Sequence, residues 1–235
     1  VKRNSKCTPV YVDLSLDSVD VLEQYYDICS IYLFSTFTAN YERTCELVKM
    51  IRERCIADAI FIAGGHHASA LPDVVAQTFD YVIIGEGGIA ESKLITELLD
   101  GHRPAERVII GECIKDLDKV GWIDYSLAQL ERYTRRVNGQ KSISILTSRG
   151  CPYKCEFCNS TLMKRYKSVR FRSAQDVIAE VLYLNQQYGV TSFRIQDDIF
   201  SINRTRLKEI ADGLETYHFS FRCFSRVYKI DDEFF

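Results

Sequence analysis

KSISILTSRGCPYKCEFC, residues 141–158, places a strand directly before a cluster of cysteines. Ser142 to Leu146 alternates polar and apolar residues, the period of a strand with one buried face. Then come Ser148-Arg149-Gly150-Cys151-Pro152-Tyr153-Lys154-Cys155-Glu156-Phe157-Cys158. Three cysteines in eight residues can converge on one centre from a loop. In α/β folds the loop beyond a strand's carboxyl end is where ligands bind. A structural zinc site takes four protein ligands, and no further Cys or His follows until His218. Three thiolates on a four-iron cluster instead leave one iron open to an outside ligand. The competing readings are a closed zinc site and three reduced core cysteines. Gly150, Pro152, Lys154 and Glu156 are unusual company for a core.

Downstream the rhythm continues. Ser173 can cap a helix, with Asp176 as its capping-box partner; Val177, Val181, Leu184 and Tyr188 give helical spacing, and Gly189 fits the position after the last turn. Thr191 to Gln196 reads as a second strand running into Asp197 and Asp198. A helix beginning at Asn203 or Thr205 carries Leu207, Ile210 and Leu214, and Phe219 to Phe224 reads as a third strand. The residues stop at Phe235 in mid-rhythm, and two βα units with a third strand do not close a barrel, so an incomplete barrel is expected.

The spacing Cys-x3-Cys-x2-Cys resembles the signature of the radical S-adenosylmethionine (SAM) superfamily. The resemblance implies a [4Fe–4S] cluster on Cys151, Cys155 and Cys158, with SAM on the open iron through its amino and carboxylate groups. Reduction would then split the sulfonium carbon–sulfur bond and give a 5′-deoxyadenosyl radical. Phe157 matches the aromatic residue that lies by the adenine of SAM. Residues 169–214, VRFRSAQDVIAEVLYLNQQYGVTSFRIQDDIFSINRTRLKEIADGL, resemble the segment after the cluster in the subgroup with a B12-binding-type N-terminal domain. That implies cofactor-binding roles for Asp198, at the end of the second barrel strand, and Arg226, after the third. The substrate would be a small molecule or peptide, and the electrons would come from a donor such as flavodoxin or ferredoxin.

Upstream the chain alternates strands and helices. Pro9 to Leu16 is expected as a strand, Asp27 to Thr36 as a strand covered on both faces, and Tyr41 to Cys55 as a helix. Ala57 to Ala63 and Asp80 to Ile84 are expected as strands ending at glycines, and Ile89 to Leu99 as a helix. This order predicts a mostly parallel, Rossmann-like sheet with crossover helices over residues 1–100. Residues 101–140 read as a surface connector, and 141–235 as the start of a TIM-like (β/α) barrel.

Neither Gly64-Gly65-His66-His67 nor Gly85-Glu86-Gly87-Gly88 is a dinucleotide fingerprint. Both resemble segments of cobalamin-binding domains in the same subgroup, where the first reads Gly-Gly-Pro-His and the second Gly-Glu-Gly-Glu. Here His66 replaces the proline and Gly88 the last glutamate. The resemblance implies cobalamin near Gly65, His66, Gly85, Glu86 and Gly87. The Asp-x-His-x-x-Gly source of a lower cobalt ligand is absent, so a bound cobalamin would be base-off. The first strand and helix of such a domain are also expected to be missing.

Composition narrows the classes. Thirty Lys and Arg face 32 Asp and Glu, for a net charge of −2, which is no nucleic-acid footprint. The charge is uneven: residues 1–140 carry 15 basic against 21 acidic side chains, and residues 141–235 carry 15 against 11. The basic and aromatic run from Lys164 to Arg172 can be read as an RNA-binding surface or as arginines paired with nearby acids. A tRNA methylthiotransferase would bring extra cluster cysteines and an RNA-binding module, and neither pattern is present. Nine cysteines with no regular framework argue against a disulfide scaffold and for a reducing, cytoplasmic setting; Cys45 and Cys55 share an apolar face with Val48 and Ile51. No apolar run approaches the roughly 20 residues of a membrane span. Val1 to Val10 has no signal-peptide apolar stretch. The leading reading is a radical SAM enzyme for methylation or rearrangement at an unactivated carbon; the alternative is a non-catalytic cofactor-binding module.

Overall fold

A computed structural model describes residues 7–158 and 169–227. The chain divides into two units, Val1–Cys113 and Ile114–Phe235.

The first unit is built on a four-stranded, all-parallel sheet in the order β1 (Ile31–Ser35), β2 (Ile60–Gly64), β3 (Tyr81–Ile84), β4 (Val108–Ile110). Helices α1 (Tyr41–Arg52), α2 (His66–Ala70), α3 (Pro72–Val75) and α4 (Gly87–Leu99) connect the strands. Alternation along β2 and β3 splits the core. Phe61, Ala63 and Val82 pack with Val48 and Ile51 of α1, whereas Ile60, Ile62 and Ile83 pack with Leu94 and Leu98 of α4. Helices therefore cover both faces, and the two inner strands are apolar throughout.

Three expectations change here. Pro9 to Leu16 is not a strand: the Asp13 carboxylate accepts hydrogen bonds from the Ser15 amide and hydroxyl and turns the chain. The run 27–36 is strand only over Ile31–Ser35. Among the described residues it is the edge strand of its sheet, and Leu33 is 43% exposed. The segment 101–140 is more than a connector, since it supplies β4 to the first sheet and β5 (Arg136–Val137) to the second.

In the second unit β5 pairs antiparallel with β6 (Gln140–Ile145). β7 (Ser148–Arg149) and β8 (Arg170–Phe171) form a separate two-stranded ladder. Helix α5 (Ala174–Tyr188) leads to β9 (Ser192–Ile195), and α6 (Arg204–Leu214) leads to β10 (Ser220–Arg222). The sheet order is β10, β9, β6, β5, with β6, β9 and β10 parallel. Local chemistry fixes the helix ends. Ser173 Oγ accepts from the Asp176 amide, Asn203 Oδ1 accepts from the Arg206 amide, and Gly189 takes the left-handed conformation after α5. Ile145, Phe193 and Ile195 pack against Val177, Val181, Leu184, Ile210 and Leu214 of the two helices.

Candidate functional site

The cysteine loop leaves at the end of β6. Its stem is the β7–β8 ladder, which pairs Ser148 with Phe171 and Arg149 with Arg170 and so brings together the chain on either side of the loop. Gly150, at φ 97°, turns the chain out of the ladder. Cys158 N–H donates to the Cys155 carbonyl at 3.0 Å, closing a tight turn over the last two cysteines.

Beneath the stem lies a buried polar base. Asp197, 1% exposed at the end of β9, accepts three hydrogen bonds at 2.6 Å, from Thr147 N–H, Thr147 Oγ1 and Ser148 Oγ. It thereby ties the end of the second parallel strand to the root of the cysteine loop. Arg206 of α6 donates to the carbonyls of Arg172 and Thr147 at 2.6 and 2.9 Å. Arg172 bonds Asp176 and Glu180, each at 2.6 Å, and Glu180 also accepts from Tyr125 Oη at 2.8 Å. Asp176 receives Trp122 Nε1 as well, so its carboxylate serves these partners while only its amide takes part in the cap. Arg170 donates to the Ile114 carbonyl at 2.6 Å. Arg170 and Arg172 are thus buried structural groups and not an RNA-facing surface. Lys164 to Ser168 lie outside the described residues.

The sulfurs sit on a half-exposed rim. Burial, then Asp198, Cys158 and Cys155, push the Cys151 thiol above its usual range, while a hydrogen bond from the Tyr153 backbone opposes them. The three cysteines and Asp198 therefore share one neighbourhood. Among the described residues, no three His, Cys, Asp or Glu side chains are gathered as a site for a metal ion. A four-iron cluster does not need that convergence, because each thiolate bonds a different iron.

Of the residues implied by resemblance, Asp198 is exposed beside the buried Asp197, and Phe157 is 92% exposed on the loop. Arg226 reaches the same loop: its guanidinium lies 4.0 Å over the Tyr153 ring, and Nη1 is 4.0 Å from Cys155 Sγ.

In the first unit, Gly65 and His66 follow β2, and Gly85, Glu86 and Gly87 follow β3, all at strand carboxyl ends. Gly65 has a local reason to be glycine. Its φ is 97°, and a Cβ there would lie 2.8 Å from the Thr36 carbonyl oxygen. Gly85, at φ 81°, donates its N–H to Ser69 Oγ. His66 is exposed beside the Phe37 ring, whereas His67 is buried with Nδ1 3.0 Å from Thr38 Oγ1. Gly111, just beyond β4, is more tightly constrained still. A Cβ on it would fall 2.2 Å from the Glu86 carbonyl oxygen, so β4 presses on the turn after β3 only because this residue is glycine.

No family model matches the chain. Sequence relatives include an uncharacterized methyltransferase of Pyrococcus horikoshii, 25% identical over 221 residues, which are 85% of this chain and 46% of the relative. Bacteriochlorophyllide d C-8(2)-methyltransferase of Chlorobaculum tepidum is 27% identical over 216 residues, 88% of this chain and 46% of that one. The cobalamin-dependent radical SAM methyltransferase TokK of Streptomyces tokunonensis is 25% identical over 174 residues, 63% of this chain and 25% of TokK. The chain is thus similar to methyltransferases, among them a cobalamin-dependent radical SAM enzyme, which is consistent with a radical SAM subgroup of the B12 type. It spans less than half the length of each of these relatives. Among the described residues, no helix is long and apolar enough to cross a membrane.

Proposed function

We propose that this chain belongs to a radical SAM enzyme acting at an unactivated carbon, by methylation or rearrangement. In this reading residues 1–113 are a B12-binding-type domain, and 114–235 begin a TIM-like barrel. The observation that carries it is the Cys-x3-Cys-x2-Cys loop at the carboxyl end of a parallel strand, standing on a buried polar base. Cys151, Cys155 and Cys158 would hold a [4Fe–4S] cluster. The cluster, with SAM on its open iron, would supply the reductive cleavage that yields a 5′-deoxyadenosyl radical.

The chain's own residues hold and orient. Asp197 and the β7–β8 stem fix where the loop starts, which sets the position of Cys151 relative to the strand ends. Arg226 brings a positive charge beside Cys155 and offsets the charge of crowded thiolates. Phe157 offers an open ring face for adenine, and Asp198 offers a carboxylate for the polar groups of SAM. Gly65 and Gly85 would lie along a cobalamin edge, each holding a positive φ at the turn that leaves its strand. Support for cobalamin comes from the strand-end edge, with exposed His66 and with Glu86 and Gly87 nearby, and from the likeness to the cobalamin-dependent TokK.

Anaerobic loading with iron and sulfide tests the proposal. Four irons per chain and release of 5′-deoxyadenosine from SAM under reductant are expected, as is a base-off corrinoid spectrum after loading with cobalamin. A tetrahedral zinc site with no SAM affinity would overturn the cluster assignment, and absence of any corrinoid spectrum would remove the cobalamin part.

A further inference from the structure

The sheet of the second unit turns a polar, cationic face away from its helices. The register aligns Ser144 of β6, Arg194 of β9 and Arg222 of β10 in one row. Their neighbours Phe193 and Ile195 are buried in the helix-covered core. Successive side chains along a strand point to opposite faces, so Arg194 and Arg222 stand side by side on the other face, on strands about 4.8 Å apart. Gln196 shares that face and donates to Ser144 Oγ at 3.3 Å. The row lies at the carboxyl ends of the strands, one residue inside the ends of β6 and β9 and at the end of β10. These are the ends from which the cysteine loop and Asp198 follow.

Like charges directly opposite each other destabilise a sheet. Burial, then Arg135 and Arg222, hold the Arg194 guanidinium below its usual range, so a third arginine contributes to the repulsion. The unit's buried arginines show a different pattern: Arg172 has two carboxylates and Arg206 two carbonyls, whereas Arg194 is partly buried and Arg222 exposed. Among the described residues, no carboxylate or hydrogen-bond acceptor serves the side chains of Arg135, Arg194 or Arg222.

We propose that this face binds an anionic group, carboxylate or phosphate, of a small-molecule substrate, with Arg194 and Arg222 as its principal donors and Ser144 and Gln196 beside them. Two guanidinium forks at one strand end match the planar oxygens of such a group. An anion there would offset the repulsion between the two guanidinium groups. The anion site rests on the register and charge alone; its assignment to substrate rests on the radical SAM reading.

Calorimetric titration of the 235-residue chain with pyrophosphate at low salt tests it. Pyrophosphate should bind, R194Q and R222Q should each weaken binding at least tenfold, and R43Q, on α1 of the other unit, should not change it. Without anion, R194Q/R222Q should unfold no earlier than wild type, because a repulsion has been removed. Unchanged affinity in the double variant would overturn the proposal. So would its destabilisation without anion, since the arginines would then be paired within the chain. After cluster loading, SAM affinity should be the same in the double variant. A tenfold loss of SAM affinity would hand the site to the SAM carboxylate and overturn the substrate assignment. Failure to take up a cluster would sink the radical SAM reading while leaving the pyrophosphate result standing.

Discussion

Replacing Asp197 by alanine removes the tie between β9 and the root of the cysteine loop. Three bonds go at once, and their donors, on Thr147 and Ser148, are themselves buried. Hydrogen bonds to a charged group contribute about 1.5–3 kcal/mol each, and a buried donor left without a partner costs about 1–3 kcal/mol. The two hydroxyls can rotate toward other acceptors, but the Thr147 amide cannot. The low end of the sum is therefore the better guide, at about 3–5 kcal/mol. At about 2–4 °C per kcal/mol, the unfolding midpoint should fall by about 6–20 °C. The chain has a single tryptophan, Trp122, and it packs in this unit against Tyr183 while bonding Asp176. Trp122 fluorescence thus reports the second unit separately from the first. Asp198→Asn, at an exposed neighbour, should stay within about 0.5 kcal/mol. The same Asp197→Ala protein should load less iron, because its loop no longer starts from a fixed root. A tryptophan-detected midpoint within 2 °C of wild type, with normal iron content, would refute the reasoning about Asp197.

Replacing Cys151, Cys155 or Cys158 by alanine should abolish cluster-dependent SAM cleavage, whereas Cys45→Ala should leave it intact, since Cys45 contacts Thr78 in the other unit; turnover retained in Cys155→Ala would remove the cluster assignment. Gly65→Ala should destabilise the first unit with or without corrinoid, because its Cβ would meet the Thr36 backbone at a positive φ; circular dichroism melting of the cofactor-free chain checks this. Burial raises the Glu91 carboxyl above its ordinary range. A carboxyl whose folded-state value is raised favours the folded state at low pH and loses that contribution as pH rises through the folded-state value. Glu91→Gln should therefore melt a few degrees higher than wild type near pH 7, and the gain should vanish below about pH 4, where the unfolded carboxyl is also protonated. Equal midpoints at both pH values would exclude it.

Local signals made much of this fold legible. The strands β6 and β9 were legible as short runs at 142–146 and 191–196, while Ser173, Asn203 and Gly189 marked helix ends by side-chain and backbone chemistry that acts within a few residues. Edge status was hidden, because an apolar run reads the same at the rim of a sheet as at its centre; β1 and β4 show this with Leu33 and Ile110 exposed. Within the site, the cysteines stood out by spacing, but which aspartate is buried did not. Asp197 and Asp198 are adjacent and chemically identical, and only the position of Thr147 and Ser148, 49 and 50 residues away in sequence, separates their roles. The arginine row was invisible for the same reason, since Arg194 and Arg222 become neighbours only through strand register.

The placing of the anchors around the cysteine loop has a physical logic. Three thiolates held together without metal would repel, and the raised Cys151 thiol already registers burial, Asp198 and the other two cysteines. A fold that pressed all three sulfurs into one point would have to bear that repulsion before any iron arrived. The hydrogen bonds instead lie one step back, in the β7–β8 stem, the three bonds to Asp197, and Arg206, which donates to carbonyls on either side of the stem. If the sulfurs take up iron as proposed, the free energy of metal binding would offset the cost of bringing the thiolates together. Arg226 fits the same scheme. Its guanidinium stands beside Cys155 and Tyr153, where under the proposed reading it would face anionic sulfur without bonding iron itself.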